Sequence, residues 1–119
     1  LLGDKIRQHH TRCWLVNTGW SGGPYGEGKR ISIGHTRAIV DAILGDRLND
    51  AATDDDSFFG IAVPRTCPGV PPAVLQPRST WNDPTAYDDK ARHLVQLFTE
   101  HFSSYQADAS DIATAGPTA

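Results

Sequence analysis

Methionine is absent from this 119-residue sequence, and the first residue is a leucine. Leu1, Leu2 and Ile6 recur at helical spacing with charges between them, so the chain begins in what reads as the middle of an amphipathic helix. On these two grounds we expect a piece of a longer protein, cut on its N-terminal side. Cysteine is scarce. The two present, Cys13 and Cys67, lie far apart and lack the C-x-x-C spacing of redox and zinc motifs. Cys13 sits in an apolar run, which predicts a buried free thiol and suits a reducing cytoplasm. No apolar run is long enough to cross a membrane, and no signal-peptide pattern opens the chain. Positive charge is not in excess either: 11 Lys and Arg face 14 Asp and Glu, a formal net charge of −3. That balance argues against a general nucleic-acid-binding surface.

Glycine, by contrast, is plentiful. Residues 16–36, VNTGWSGGPYGEGKRISIGHT, hold a dense glycine loop that ends in Gly28-Lys29-Arg30 and runs toward a helix. The segment nearly spells the phosphate-binding pattern G-x-x-x-x-G-K-[ST] and departs from it at the last position, where Arg30 stands in place of the magnesium-holding hydroxyl. Pro24 lacks the N–H from which a phosphate cradle is built, and Glu27 would bring a carboxylate toward the phosphates. A simple P-loop is therefore a weak reading. A strand, a glycine loop and a helix N-terminus in succession still form a generic nucleotide-site geometry, with Lys29 and Arg30 available to an anionic ligand.

Hydrophobic periodicity divides the rest into a mixed α/β pattern. Residues 13–16 (CWLV) read as a short buried strand that stops at Asn17-Thr18-Gly19. Thr36, Ile39, Val40, Ile43 and Leu44 mark one face of a helix, with Ser32 as N-cap and Gly45 as the C′ residue. Residues 45–57 are polar and contain Asp54-Asp55-Asp56. That run lacks the alternating ligands and closing Glu of a calcium loop, so a solvated loop is expected. Residues 58–63 (FFGIAV) read as another buried strand, and the proline-rich residues 64–84 as extended and turn segments over the surface. Asp83 as N-cap and Pro84 at the first position open a last helix, with Tyr87, Ala91, Leu94, Val95, Phe98, Phe102 and Tyr105 on its apolar face. Past Tyr105 the composition predicts a disordered tail.

Metal and nucleophile patterns are weak. His9 and His10 are adjacent and would point to different faces of a helix, and His93 and His101 lie two helical turns apart rather than at the i, i+4 spacing of a zinc pair. His35 is close to the glycine loop, but nothing in its spacing demands a ligand role. No Ser–His–Asp arrangement or carboxylate pair stands out. From the residues alone the reading ends at a piece of a soluble α/β protein with an anion or nucleotide loop, and a stand-alone, non-catalytic nucleotide- or phosphate-binding module stays open.

Two blocks carry a more specific signal. VNTGWSGGPYGEGKRISIGHTRAIVDAIL resembles the C-terminal part of ATP-dependent phosphoenolpyruvate carboxykinases. FFGIAVPRTCPGVPPAVLQPRSTW, followed by a helix ending LVQLFTEHFSSY, agrees with the same family in order and spacing. The resemblance implies that residues 1–105 are part of a carboxykinase nucleotide-binding domain, with residues 106–119 a flexible tail. It implies a cytoplasmic, monomeric parent enzyme converting oxaloacetate and ATP into phosphoenolpyruvate, ADP and carbon dioxide in gluconeogenesis, with Mg2+ on the nucleotide and Mn2+ at the carboxylate and phosphoryl site. It further implies that the family's P-loop, metal ligands and catalytic lysine lie upstream, so no catalytic or metal residue is expected here. The positions matching its nucleotide pocket, at the base and sugar end, are Arg30, Ile31 and Thr36. One departure is His35, where family members often carry an acidic residue that completes a capping box with the preceding Ser.

Overall fold

The computed structural model describes residues 2–118. In it the glycine-rich stretch is a β-hairpin. Strand β1 (Trp20–Ser21) pairs antiparallel with β2 (Lys29–Arg30), with Trp20 opposite Arg30 and Ser21 opposite Lys29. Two glycines make the turn between them geometrically feasible. A Cβ on Gly28 would stand 2.6 Å from the Gly23 carbonyl oxygen, and Gly22 takes φ +79° while its own Cβ position is 3.1 Å from the Thr80 carbonyl oxygen. The loop closes on itself: the N–H groups of Glu27 and Gly28 both donate to the Pro24 carbonyl, at 3.1 and 2.9 Å.

Helix α1 (Leu2–His9) precedes the hairpin and ends where His10 adopts a left-handed conformation, φ 50°. Helix α2 (Ile33–Leu44) follows it, capped as expected by Ser32, whose Oγ accepts from the His35 N–H at 3.1 Å. The C-terminal end differs from the expectation. Gly45 is the C-cap residue at φ −90°, and the left-handed position passes to Asp46 at φ 56°. Asp and Asn are the non-glycine residues that tolerate this region best.

The expected strand over residues 13–16 does not form a ladder. Trp14 and Val16 are half-buried while Cys13 and Leu15 are exposed, so the strand-like alternation is there without a partner. Cys13 is accordingly an exposed thiol, not a buried one. The acidic run is not a solvated loop: β3 (Thr53–Asp55) pairs antiparallel with β4 (Ala62–Pro64). Asp54 binds Arg65 through Nε and Nη2, at 2.9 and 2.6 Å. Asp56 ties the intervening turn, its Oδ1 accepting from the N–H groups of Phe58 and Phe59. The strand expected over residues 58–63 thus shrinks to its last residues, because FFG is consumed by the turn.

In the proline-rich segment two single-turn helices appear, α3 (Pro72–Leu75) and α4 (Pro77–Thr80), each with Pro in its first turn. Proline there lacks only an N–H that would have had no intrahelical partner. Helix α5 (Pro84–Ser103) starts as expected, Asp83 accepting from the Thr85 N–H at 2.8 Å. Of its expected apolar face only Ala91 and Val95 are buried. Residues past Tyr105 contain a 3-10 helix (Ser110–Ala115) where a disordered tail was expected. No described helix is long and apolar enough to cross a membrane.

The main core is small. Ala42, Leu48, Cys67 and Val70 are buried together, with Trp14, Ala38, Ile39, Ile43, Ala51, Val74 and Leu75 packed around them. The radius of gyration, 15.9 Å, exceeds the roughly 13–14 Å of a fully compact chain of this length. Ala42 is 0 % exposed, so there is no room for a larger side chain at the centre of this cluster. Ala42→Leu should therefore lower stability by about 1–3 kcal/mol, read as a lower urea midpoint with an unchanged slope.

Candidate nucleotide-facing site

Arg30 ends β2, Ile31 bridges it to the cap residue Ser32, and Thr36 lies one turn into α2, its N–H donating to the Ser32 carbonyl at 3.0 Å. The three residues are therefore held by two adjoining local structures, a hairpin and a capped helix start. Their side chains have different surroundings. Ile31 lines an apolar cleft, Thr36 is half-buried beside it in sequence but is not among the cleft's lining residues, and Arg30 is exposed. The Ile31 N–H is already used, donating to the Gly19 carbonyl at 2.9 Å. Among the described residues no carboxylate pairs with the Arg30 guanidinium, and α2 carries no acidic residue in its first turn. Lys29, Arg30 and the positive end of the α2 dipole thus add with the same sign.

The cleft has a volume of about 330 Å³ and is walled by Trp14, Val16, Trp20, Ile31, Ile39 and Tyr87 among others. Thr80 and Trp81 close one side. Ser21 Oγ donates to Thr80 Oγ1 at 3.2 Å, which joins the hairpin to α4. Helix α4 is in turn joined to α5, where Arg78 binds both oxygens of Asp88, at 2.7 and 3.0 Å. Trp81 stands edge-on to Tyr87 with centroids 5.6 Å apart. The aromatic wall escaped the sequence reading because Trp14, Trp20 and Trp81 belong to three separate segments with no shared periodicity.

Titratable groups around the cleft are tuned by these contacts. Burial, reinforced by the charges of Asp56 and Asp88, pushes the Tyr87 hydroxyl up, so it remains a neutral hydrogen-bonding group. Burial also raises the Cys67 thiol, against an opposing effect of Arg47, in keeping with its place in the core cluster. The hydrogen bond from Arg78 holds the Asp88 carboxyl below its ordinary range. Among the described residues no three His, Cys, Asp or Glu side chains come together to hold a metal ion.

Comparison with known proteins bears on what this arrangement belongs to. A family model described as phosphoenolpyruvate carboxykinase matches residues 1–73, more than half of the chain. The chain belongs to the phosphoenolpyruvate carboxykinase family. Curated relatives extend the match past the hairpin and α2 to the rest of this carboxykinase chain. Phosphoenolpyruvate carboxykinase (ATP) of Pelobacter propionicus is 53% identical over 106 residues, covering 89% of this chain and 20% of the relative. Phosphoenolpyruvate carboxykinase (ATP) 1 of Salinibacter ruber is 53% identical over 119 residues, covering 99% and 22%. The Thermus thermophilus enzyme is 48% identical over 118 residues, covering 98% and 22%. The chain thus spans about a fifth of the length of the relatives it matches.

The Asp88 contact yields a pH prediction for this carboxykinase chain. A carboxyl whose folded-state pKa is depressed contributes stability above its unfolded pKa, about 3.9, and loses it as pH falls through the folded value. Urea midpoints measured at pH 7 and pH 3 should therefore differ in the native sequence, and the difference should be smaller in Asp88→Asn.

Proposed function

We propose that this chain forms the adenine- and ribose-side wall of the ATP site in a carboxykinase. That enzyme converts oxaloacetate and ATP into phosphoenolpyruvate, ADP and carbon dioxide, in the cytoplasm and in the service of gluconeogenesis. In that conversion the bond from oxaloacetate to the departing carboxylate breaks, its electron pair forms an enolate, and the enolate oxygen takes the γ-phosphoryl group of ATP. Most of such a reaction is positioning and charge stabilisation. The residues of this chain would position the nucleotide at the end remote from the transferred phosphoryl.

The observation that carries this reading is an exposed guanidinium that has no acidic partner among the described residues, on a strand that leads directly into a capped helix N-terminus. Arg30 can lie flat on the purine or reach the ribose and phosphates with several donors. Ile31 offers its side chain, since its N–H is committed to Gly19. The Thr36 hydroxyl makes no hydrogen bond to another described residue and can turn to the adenine edge. Mg2+ with the nucleotide and Mn2+ near the carboxylate belong to the same proposal for the larger enzyme. Among the described residues no three His, Cys, Asp or Glu side chains come together to hold either ion.

The test is steady-state kinetics of the full-length enzyme. Arg30→Ala should raise KM for ATP about 10- to 100-fold, the range for losing a charge-assisted contact, with oxaloacetate binding changed far less. Unchanged KM for ATP together with unchanged turnover would sink the role given to Arg30.

A further inference from the structure

We propose that Thr80 is a positioning residue for the nucleotide, acting through Arg30, and this rests on the ATP-wall reading above. Thr80 and Arg30 are far apart in sequence, yet two contacts connect them through the hairpin. The first is the hydroxyl pair: Ser21 Oγ donates to Thr80 Oγ1 at 3.2 Å. Thr80 Oγ1 donates in its turn to the Pro77 carbonyl at 2.6 Å, so its proton is committed and its lone pair faces Ser21. The polarity of the pair is thereby fixed. The second contact is steric. Gly22, at φ +79°, brings the hairpin turn so close to Thr80 that a Cβ would stand 3.1 Å from the Thr80 carbonyl oxygen.

From Ser21 the connection to Arg30 is short. Ser21 pairs with Lys29 and Trp20 with Arg30 across the two-residue ladder, and the Ile31 N–H donates to Gly19 just before it. A ladder this short cannot hold its own direction. Among the described residues Ser21–Thr80 is the one side-chain hydrogen bond from the hairpin to a distant part of the chain. On its other side Thr80 ends α4, which is fastened to the 20-residue helix α5 by Arg78–Asp88 and by Trp81 against Tyr87. Thr80 therefore transmits the placement of a long helix to the strand that carries the guanidinium. Losing its hydroxyl leaves Arg30 intact and lets the hairpin swing.

A double-mutant cycle in the full-length enzyme tests this. Thr80→Val should raise KM for ATP about three- to tenfold, the effect expected for one hydrogen bond, while kcat and the KM for oxaloacetate stay within about twofold. Thr80→Ser should keep the native KM for ATP. In the Arg30→Ala background Thr80→Val should add no further increase, because the group it positions is gone. An equal increase in both backgrounds, a parallel rise in KM for oxaloacetate, or Thr80→Ser behaving as Thr80→Val would overturn the proposal while leaving the ATP-wall reading standing. If Arg30→Ala alone leaves both KM for ATP and turnover unchanged, the role given to Arg30 in the ATP wall fails, and the proposal with it. Should Thr80→Val not fold, Ser21→Ala removes the donor of the same hydrogen bond and decides the cycle by the same criteria.

Discussion

Helix α2 comes close to the Cys67–Val70 turn because three of the residues at that contact, Ala38, Ala42 and Gly69, are small. Ala42 is fully buried between Leu48, Cys67 and Val70, and a Cβ on Gly69 would already stand 3.4 Å from the Ala38 Cβ. Close-packed contacts of this kind transmit displacement and do not absorb it. The position of α2 is set by that contact, and the position of its N-terminus, with Ser32 and the incoming Arg30 and Ile31, follows from it. A chain with so few buried residues has little else to fix its geometry.

The glycine loop shows how one sequence pattern can serve two physical ends. In a phosphate-binding loop the backbone N–H groups converge on an anion. Here two of them, from Glu27 and Gly28, converge on the Pro24 carbonyl, and the glycines supply close backbone approach within a tight hairpin. The Lys-Arg pair then marks the exit of the hairpin and not a cradle. The residue that broke the P-loop pattern, Arg30, has no carboxylate partner among the described residues, and neither does Lys29 beside it.

What was legible in the sequence was what is local. Helices α2 and α5 announce themselves by apolar spacing and by Ser32 and Asp83, because a cap bonds to a residue two or three positions away. Residues 13–16 have the composition of a strand, but a strand exists only as one side of a ladder, and composition does not say whether the other side is there. The same gap misplaced Cys13. The prolines at 72 and 77 carried a signal for helix starts that was outweighed by the general association of proline with extended chain. Asp54 could not be assigned as an ion-pair residue without knowing that Arg65, 11 positions on, folds back onto it. The motif positions Arg30, Ile31 and Thr36 are singled out by family resemblance alone. The residues that hold the hairpin under them, Ser21 and Thr80, are 59 positions apart and have no sequence signature.

The aromatic wall of the cleft has an optical consequence. The chain contains three tryptophans, and Trp14, Trp20 and Trp81 all line the same cavity. Indole emission from this chain therefore originates in one place, on the hairpin, on the segment before it and at the end of α4. A change in the distance between those three elements alters the polarity around every indole at once, whereas motion of α1 or of the 3-10 helix leaves the emission dark to it. The cleft carries its own built-in fluorophores, one on each of the three segments that wall it.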